Sequence, residues 1–315
     1  MASRSVVLIG GPDSGKTNYL GRLWPSFHKN QGELRAERVP DDIRYVDGAA
    51  EHLMKGKFAP RSDRNLEIGR ADFSIEVRAG QGTGELRTLM VPDISGELWT
   101  RAVATSELPA DWMSVLQGAE GAILFVRHAS DQTVQPVDWV TALAVLKMYT
   151  AEGTASDTGA GSLAQPDGTP TYHETPDTLD TEQSEPGIPT QVLLCELLRY
   201  LGLLLADRAD GGAPRVAVIV AAWDLVDAES QAAGPMKYLE RQFPLFAGHL
   251  SSESRLDIKL FGLSIVGGDL DDDPEFKEQF FDKDVSEQGY VIVQETDSVE
   301  LVEDVTLPIA WAVGD

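Results

Sequence analysis

Cysteine is nearly absent. The chain carries a single one, Cys195, which excludes an internal disulfide framework and a cysteine-built zinc centre and makes a reducing interior the simplest setting. Its neighbours Val192-Leu193-Leu194 mark it as a small apolar packing residue. Basic residues are also scarce, 26 Lys and Arg against 51 Asp and Glu, for a formal net charge of −25. Such a surface repels nucleic acid phosphates and anionic lipid, so neither nucleic acid nor a membrane is an expected partner. No apolar run approaches the roughly eighteen residues needed to cross a bilayer. The short apolar stretch after Met1-Ala2-Ser3-Arg4-Ser5 meets glycines and no cleavage-site pattern, so the expected location is cytoplasmic. What remains is ordinary for a globular protein: 315 residues, 42% hydrophobic and 24% charged, enough for one enlarged domain or two small ones.

The apolar runs define an order of elements. Val6-Val7-Leu8-Ile9 has no polar alternation, as expected of a strand buried on both faces. A glycine-rich turn follows, then Tyr19, Leu20, Leu23 and Trp24 at helical spacing. A helix is expected near Asp41 to Met54. Phe73 to Val77 and Leu86 to Val91 alternate as a strand pair joined through Gly80-Gln81-Gly82-Thr83-Gly84. Gly121 to Val126, Val216 to Val220 and Ile258 to Leu263 suggest three more central strands, with helical patterns at Val137 to Tyr149 and Gln191 to Leu205. This alternation predicts an α/β fold with a largely parallel sheet covered by helices on both faces.

Residues 151–190 break the pattern. They contain no Lys or Arg, few large apolar residues, and much Gly, Ser, Thr, Pro, Asp and Glu. Such a stretch buries too little to offset its ordering entropy, and is expected to be an acidic, flexible insertion within a single domain spanning 1–315. A second acidic patch, Asp269 to Asp273, lacks the glycine and distal glutamate of an EF-hand loop and is expected to be a solvated loop.

The chemistry is concentrated in Gly10-Gly11-Pro12-Asp13-Ser14-Gly15-Lys16-Thr17, a full match to G-x-x-x-x-G-K-[ST] between a strand and a helix. Phosphate binding requires backbone N–H groups converging at a helix N-terminus, and glycines permit the close approach. Lys16 is then expected to reach the β- and γ-phosphates, and the Thr17 hydroxyl to ligate Mg²⁺. The predicted fold is therefore the three-layer sandwich of the P-loop nucleoside triphosphatases. Asp93-Ile94-Ser95-Gly96-Glu97 follows a strand, where Asp93 can hold Mg²⁺ through a water and the Gly96 N–H can sense a γ-phosphate.

In this order of motifs, completed by a later strand that ends in Asp224, the chain resembles a Ras-like P-loop GTPase. The resemblance implies that Asp224 accepts hydrogen bonds from guanine and that Ser264, in Gly262-Leu263-Ser264-Ile265-Val266-Gly267, helps close the base pocket. Where that family has Asn/Thr-Lys-x-Asp, this chain has Ala221-Ala222-Trp223-Asp224, which leaves GTP and ATP both open. Asp224 also suits a turn or a helix start. Glu97 occupies the place of the glutamine that orients attacking water; a carboxylate accepts from that water but cannot donate to the γ-phosphate, so unaided hydrolysis is expected to be slow. By position, Ser62 is the hydroxyl expected to complete the Mg²⁺ shell, with Arg61 and Arg64 nearby.

The Gly-Gly-Pro-x-Ser-Gly-Lys-Thr loop, the long segment before the second strand, and Leu307-Pro308-Ile309-Ala310-Trp311 are similar to the bacterial double-GTPase proteins. That likeness implies a regulatory nucleotide switch, linked to conflict or defence systems and working with protein partners. The expected machinery is then Lys16, Gly96 and Glu97 acting on a Mg²⁺-bound guanine nucleotide. A nucleotide-binding scaffold that barely hydrolyses, and an ATPase or small kinase, are the competing expectations.

Overall fold

The computed structural model describes residues 3–29, 31–38, 44–59, 70–84, 86–94, 96–130, 133–134, 188–295 and 298–314. Residues 1–133 and 190–315 form one compact unit and 134–189 a second. All the elements below belong to the first. The expected helix at 137–149 and most of the expected insertion lie outside the described residues.

A nine-stranded sheet runs through this unit, in the order β2-β3-β4-β1-β5-β6-β7-β8-β9. Its strands are β1 (Ser3–Gly10), β2 (Arg35–Arg38), β3 (Arg70–Arg78), β4 (Leu86–Ile94), β5 (Ala119–Arg127), β6 (Arg215–Ala221), β7 (Asp257–Ser264), β8 (Tyr290–Gln294) and β9 (Val299–Val302). Neighbours within β4-β1-β5-β6-β7 are parallel. The two flanks, β2-β3-β4 and β7-β8-β9, are antiparallel. The parallel centre agrees with the apolar runs, because β1, β5 and β6 are buried on both faces, as crossover helices require. The antiparallel flanks do not follow from those runs.

Ten helices are described: α1 (Lys16–His28), α2 (Arg44–Met54), α3 (Gly96–Thr105), α4 (Ala110–Gln117), α5 (Thr190–Leu204), α6 (Ala228–Ala233), α7 (Pro235–Gln242), α8 (Pro244–Ser252), α9 (Pro274–Phe281) and α10 (Leu307–Val313). On one sheet face, Leu8, Ile123, Phe125 and Ile219 share a core with Tyr19, Leu20 and Leu23 of α1, Ala50 of α2 and Ile309 of α10. Their strand neighbours Val7, Ile9, Leu124 and Val218, also buried, point to the opposite face by the two-residue period. There α5 lies against β1 and β5 and packs beside α3, α4 and α8, with α3 also against β1. The three layers thus form around β1 and β5, and the C-terminal ends of these strands open onto the candidate site.

The acidic patch at 269–273 is a solvent-facing turn. Asp269 Oδ1 accepts from the N–H groups of Asp271 and Asp272 at 2.8 and 3.1 Å, and Asp273 caps α9 by accepting from Phe276 N–H at 3.0 Å.

Candidate nucleotide-binding site

β1 ends at Gly10 and α1 begins at Lys16, so residues 11–15 turn between a buried strand and a helix N-terminus. Gly15 caps α1 with φ +93°, a left-handed conformation that a Cβ would strain. Lys16 folds back into this turn. Its Nζ donates to the Gly10 carbonyl at 3.0 Å, the Gly11 carbonyl at 3.2 Å and Ser14 Oγ at 3.1 Å, and only 7% of the residue is exposed. A buried ammonium fixed by carbonyls is a positive charge aimed at the helix N-terminus, where anions are favoured. Thr17, half-buried, stands in the first turn of α1.

Gly96 opens α3 against the opposite side of the loop. A Cβ there would stand 2.2 Å from both the Gly11 carbonyl carbon and the Pro12 nitrogen, so only glycine lets the two backbones meet. Glu97, the next residue, is exposed. Asp93 is paired in register with Leu8 of β1, two residues before Gly10; it is described by its backbone position. Ser62, with Arg61 and Arg64, lies outside the described residues.

Beside the loop is a cavity of about 260 Å³. Asp13 and Gly15 of the loop, Asn18 of α1, Phe58 and Ala59, Ala222 and Asp224 after β6, and Ile265 and Val266 after β7 all line it. Asn18 Oδ1 accepts from the Ala59 N–H at 2.8 Å and so ties the segment after α2 to α1. Trp223, fully buried in a short turn at 223–225, stacks edge-on to Tyr238 at 5.7 Å and sets the position of Asp224. Burial raises the Asp224 carboxyl above its ordinary value, opposed by a hydrogen bond from Ser264. The fully buried Ser264 hydroxyl oxygen also accepts from the Gly267 N–H at 2.9 Å. Asp224 and Ser264, 40 residues apart in sequence, therefore meet, Asp224 on the cavity wall and Ser264 fully buried behind it.

Several residues at the site carry no sequence motif: Asn18, Phe58, Arg127, Ser130 and Asp269. Arg127 Nη1 pairs with Asp13 Oδ1 at 2.7 Å, and Ser130 Oγ donates to Asp13 Oδ2 at 3.0 Å. The available signal was a cation terminating the otherwise apolar run Ala122-Ile123-Leu124-Phe125-Val126.

A strand-to-helix turn of P-loop sequence with its lysine inserted, a glycine from β4's end abutting it, and an adjoining cavity of about 260 Å³ define a P-loop nucleotide-binding domain of the GTPase type. The chain belongs to the Double-GTPase 1 family, which it matches over residues 7–312. No curated protein matches it. Among solved structures, it is similar to the S. cerevisiae Ski7 GTPase-like domain bound to GDP and inorganic phosphate, at 12% identity and a TM-score of 0.39, covering 95% of this chain and 58% of that one. The same domain bound to GTP is similar at 11% identity and a TM-score of 0.32, covering 82% of this chain and 42% of that one. The chain thus spans less than two thirds of those relatives' length. Among the described residues no helix is long and apolar enough to cross a membrane.

Proposed function

We propose that this chain is a cytoplasmic switch that binds Mg²⁺-GTP, hydrolyses it slowly and signals through protein partners. The observation that carries the reading is the backbone contact of Gly96 with Gly11 and Pro12. With the glycine at the head of α3 pressed on the phosphate turn, gain or loss of a γ-phosphate at the turn changes what the Gly96 N–H can donate to, and α3 follows as a unit. α3 and α4 enclose a groove of about 550 Å³ whose lining includes Leu98, Ala102, Leu108 and Trp112, which supports a partner readout on this side.

Thr17, Asp93 and Ser62 supply hard oxygen donors of the kind Mg²⁺ takes, and the ion bound there would neutralise phosphate charge. The chain's own part is positional. The turn's N–H groups and Lys16 hold the phosphates, Asp224, held in place by Ser264, reads the base, and Glu97 accepts a hydrogen bond from water. A carboxylate at 97 adds negative charge beside the γ-phosphate and donates nothing to it, which supports slow turnover and equally a scaffold that keeps its nucleotide. The likeness to double-GTPase proteins of conflict systems supports a role in bacterial defence.

Phosphate release from GTP by the wild-type protein and by Glu97→Gln tests the hydrolytic part. Slow release that rises about tenfold or more in the variant is expected if residue 97 faces the attacking water. Release undetectable in both, with GTP bound, would replace the switch with the scaffold.

A further inference from the structure

The candidate site contains two cations of different origin. Lys16 belongs to the phosphate turn. Arg127 belongs to no motif: it is the last residue of β5, emerging where residues 121–126 leave the buried core. That is the C-terminal edge of the parallel strands, the edge at which such sheets bind ligands. Among the described side chains lining the 260 Å³ cavity, Arg127 is the cationic one, set among the carboxylates of Asp13, Asp224, Asp269 and Asp271. Its Nη1 donates to Asp13 Oδ1 at 2.7 Å and to the Asp13 carbonyl at 3.3 Å. Asp13 itself holds φ +58°, a conformation that costs a non-glycine residue energy and persists where contacts enforce it. The guanidinium is thus fixed, and with 32% of the side chain exposed it keeps surface toward the cavity it lines. Ala222, also on that wall, offers only a methyl group.

We propose that Arg127 forms the cationic wall of the nucleoside subsite, laying its guanidinium plane against the purine of the bound guanine nucleotide. A planar, weakly hydrated, permanently charged group suits this task, because it stacks on an aromatic face while its N–H groups remain bonded at the edge. It also offsets carboxylates that would otherwise repel an anionic ligand. The inference rests on the guanine-nucleotide reading above.

GTP and inorganic tripolyphosphate affinities of the wild type, Arg127→Ala and Arg127→Lys test it, with melting temperatures confirming that each folds. Tripolyphosphate meets the phosphate turn and carries no purine, so it separates a contact with the base from one that only shapes the turn. Arg127→Ala is expected to weaken GTP about tenfold or more and tripolyphosphate less than about threefold, with Arg127→Lys recovering only part of the GTP loss. The proposal is overturned if Arg127→Ala binds GTP as the wild type does. It is equally overturned if tripolyphosphate loses as much as GTP, for Arg127 then only pins the turn or supplies charge. Failure of the wild type to bind any guanine nucleotide would remove the underlying reading as well, a result distinct from either.

Discussion

At the scale of single residues, the proposed function divides the nucleotide between Lys16, for the phosphates, and Asp224, for the base. Lys16→Ala removes the ammonium from a turn whose shape is otherwise set by Gly15 and by the flanking strand and helix. Triphosphate affinity is expected to fall about 100-fold or more, on the order of 3 kcal/mol for lost charge-assisted hydrogen bonds, with melting shifted by only a few degrees. Isothermal titration and thermal melting of the same sample check both halves. Asp224 carries the pH dependence. Its carboxyl is raised by burial, and only the ionised form accepts hydrogen bonds at both oxygens. GTP affinity is therefore full above the raised value and declines as pH falls through it, while Asp224→Asn binds weakly at all pH. A profile that stays flat in the wild type as pH falls from neutrality through the ordinary carboxylate range would contradict a base-reading carboxylate. The phosphate turn was fully legible in the sequence, because its chemistry demands contiguous residues. Arg127 was not, since its role depends on β5 ending beside β1, a fact of sheet order.

Among the elements, α1 joins the site to the far end of the chain. Its buried Arg22 donates through Nε to the Gln288 carbonyl at 3.1 Å, through Nη2 to the carbonyls of Ser286 and Gln288, and through Nη1 to Ser26 Oγ at 2.7 Å. Burial lowers its pKa to about 10. Arg22→Met leaves those carbonyls without their donor, and a loss of about 2–4 kcal/mol in urea unfolding is expected. Two turns on, Lys29 pairs with Asp284 at 2.5 Å. The hydrogen bonds from Lys29 and Ser286 hold the Asp284 carboxyl at about 2. This folded-state value lies below the ordinary one, so the contribution is present above about pH 4 and is lost as pH falls toward 2. Both partners are largely exposed, so the effect is small, and Asp284→Asn is expected to flatten that part of the acid-stability curve. β1, β5 and β6 were readable as unbroken apolar runs. β2 and β9 were not, because Arg35-Ala36-Glu37-Arg38 and Val299-Glu300-Leu301-Val302 acquire strand geometry from pairing with β3 and β8.

At the scale of the whole molecule, the nine-stranded sheet and its helices belong to a unit whose two segments, 1–133 and 190–315, are separated in sequence. We propose that residues 151–190 are an insertion that folding does not need. Replacing residues 151–188 by a short glycine-serine linker is expected to leave melting within a few degrees and GTP affinity within about threefold, because loop-closure entropy changes slowly with length. Loss of cooperative unfolding in the shortened chain would show that the segment belongs to the core. The α/β class and the central parallel sheet were visible in the alternation of apolar runs. The antiparallel β3–β4 pair was visible too, as two alternating runs joined through the turn at 80–84; β2 and the β7-β8-β9 flank were not, since strand direction depends on which neighbour is met and not on composition. The central claim is that the cavity beside the phosphate turn holds a guanine nucleotide. It is tested most directly by titrating the purified protein with GTP, GDP, ATP and ADP in Mg²⁺ while following phosphate release. Preference for GTP and GDP over their adenine counterparts by about tenfold or more, with slow release, is the predicted result; equal affinity for guanine and adenine nucleotides would contradict it.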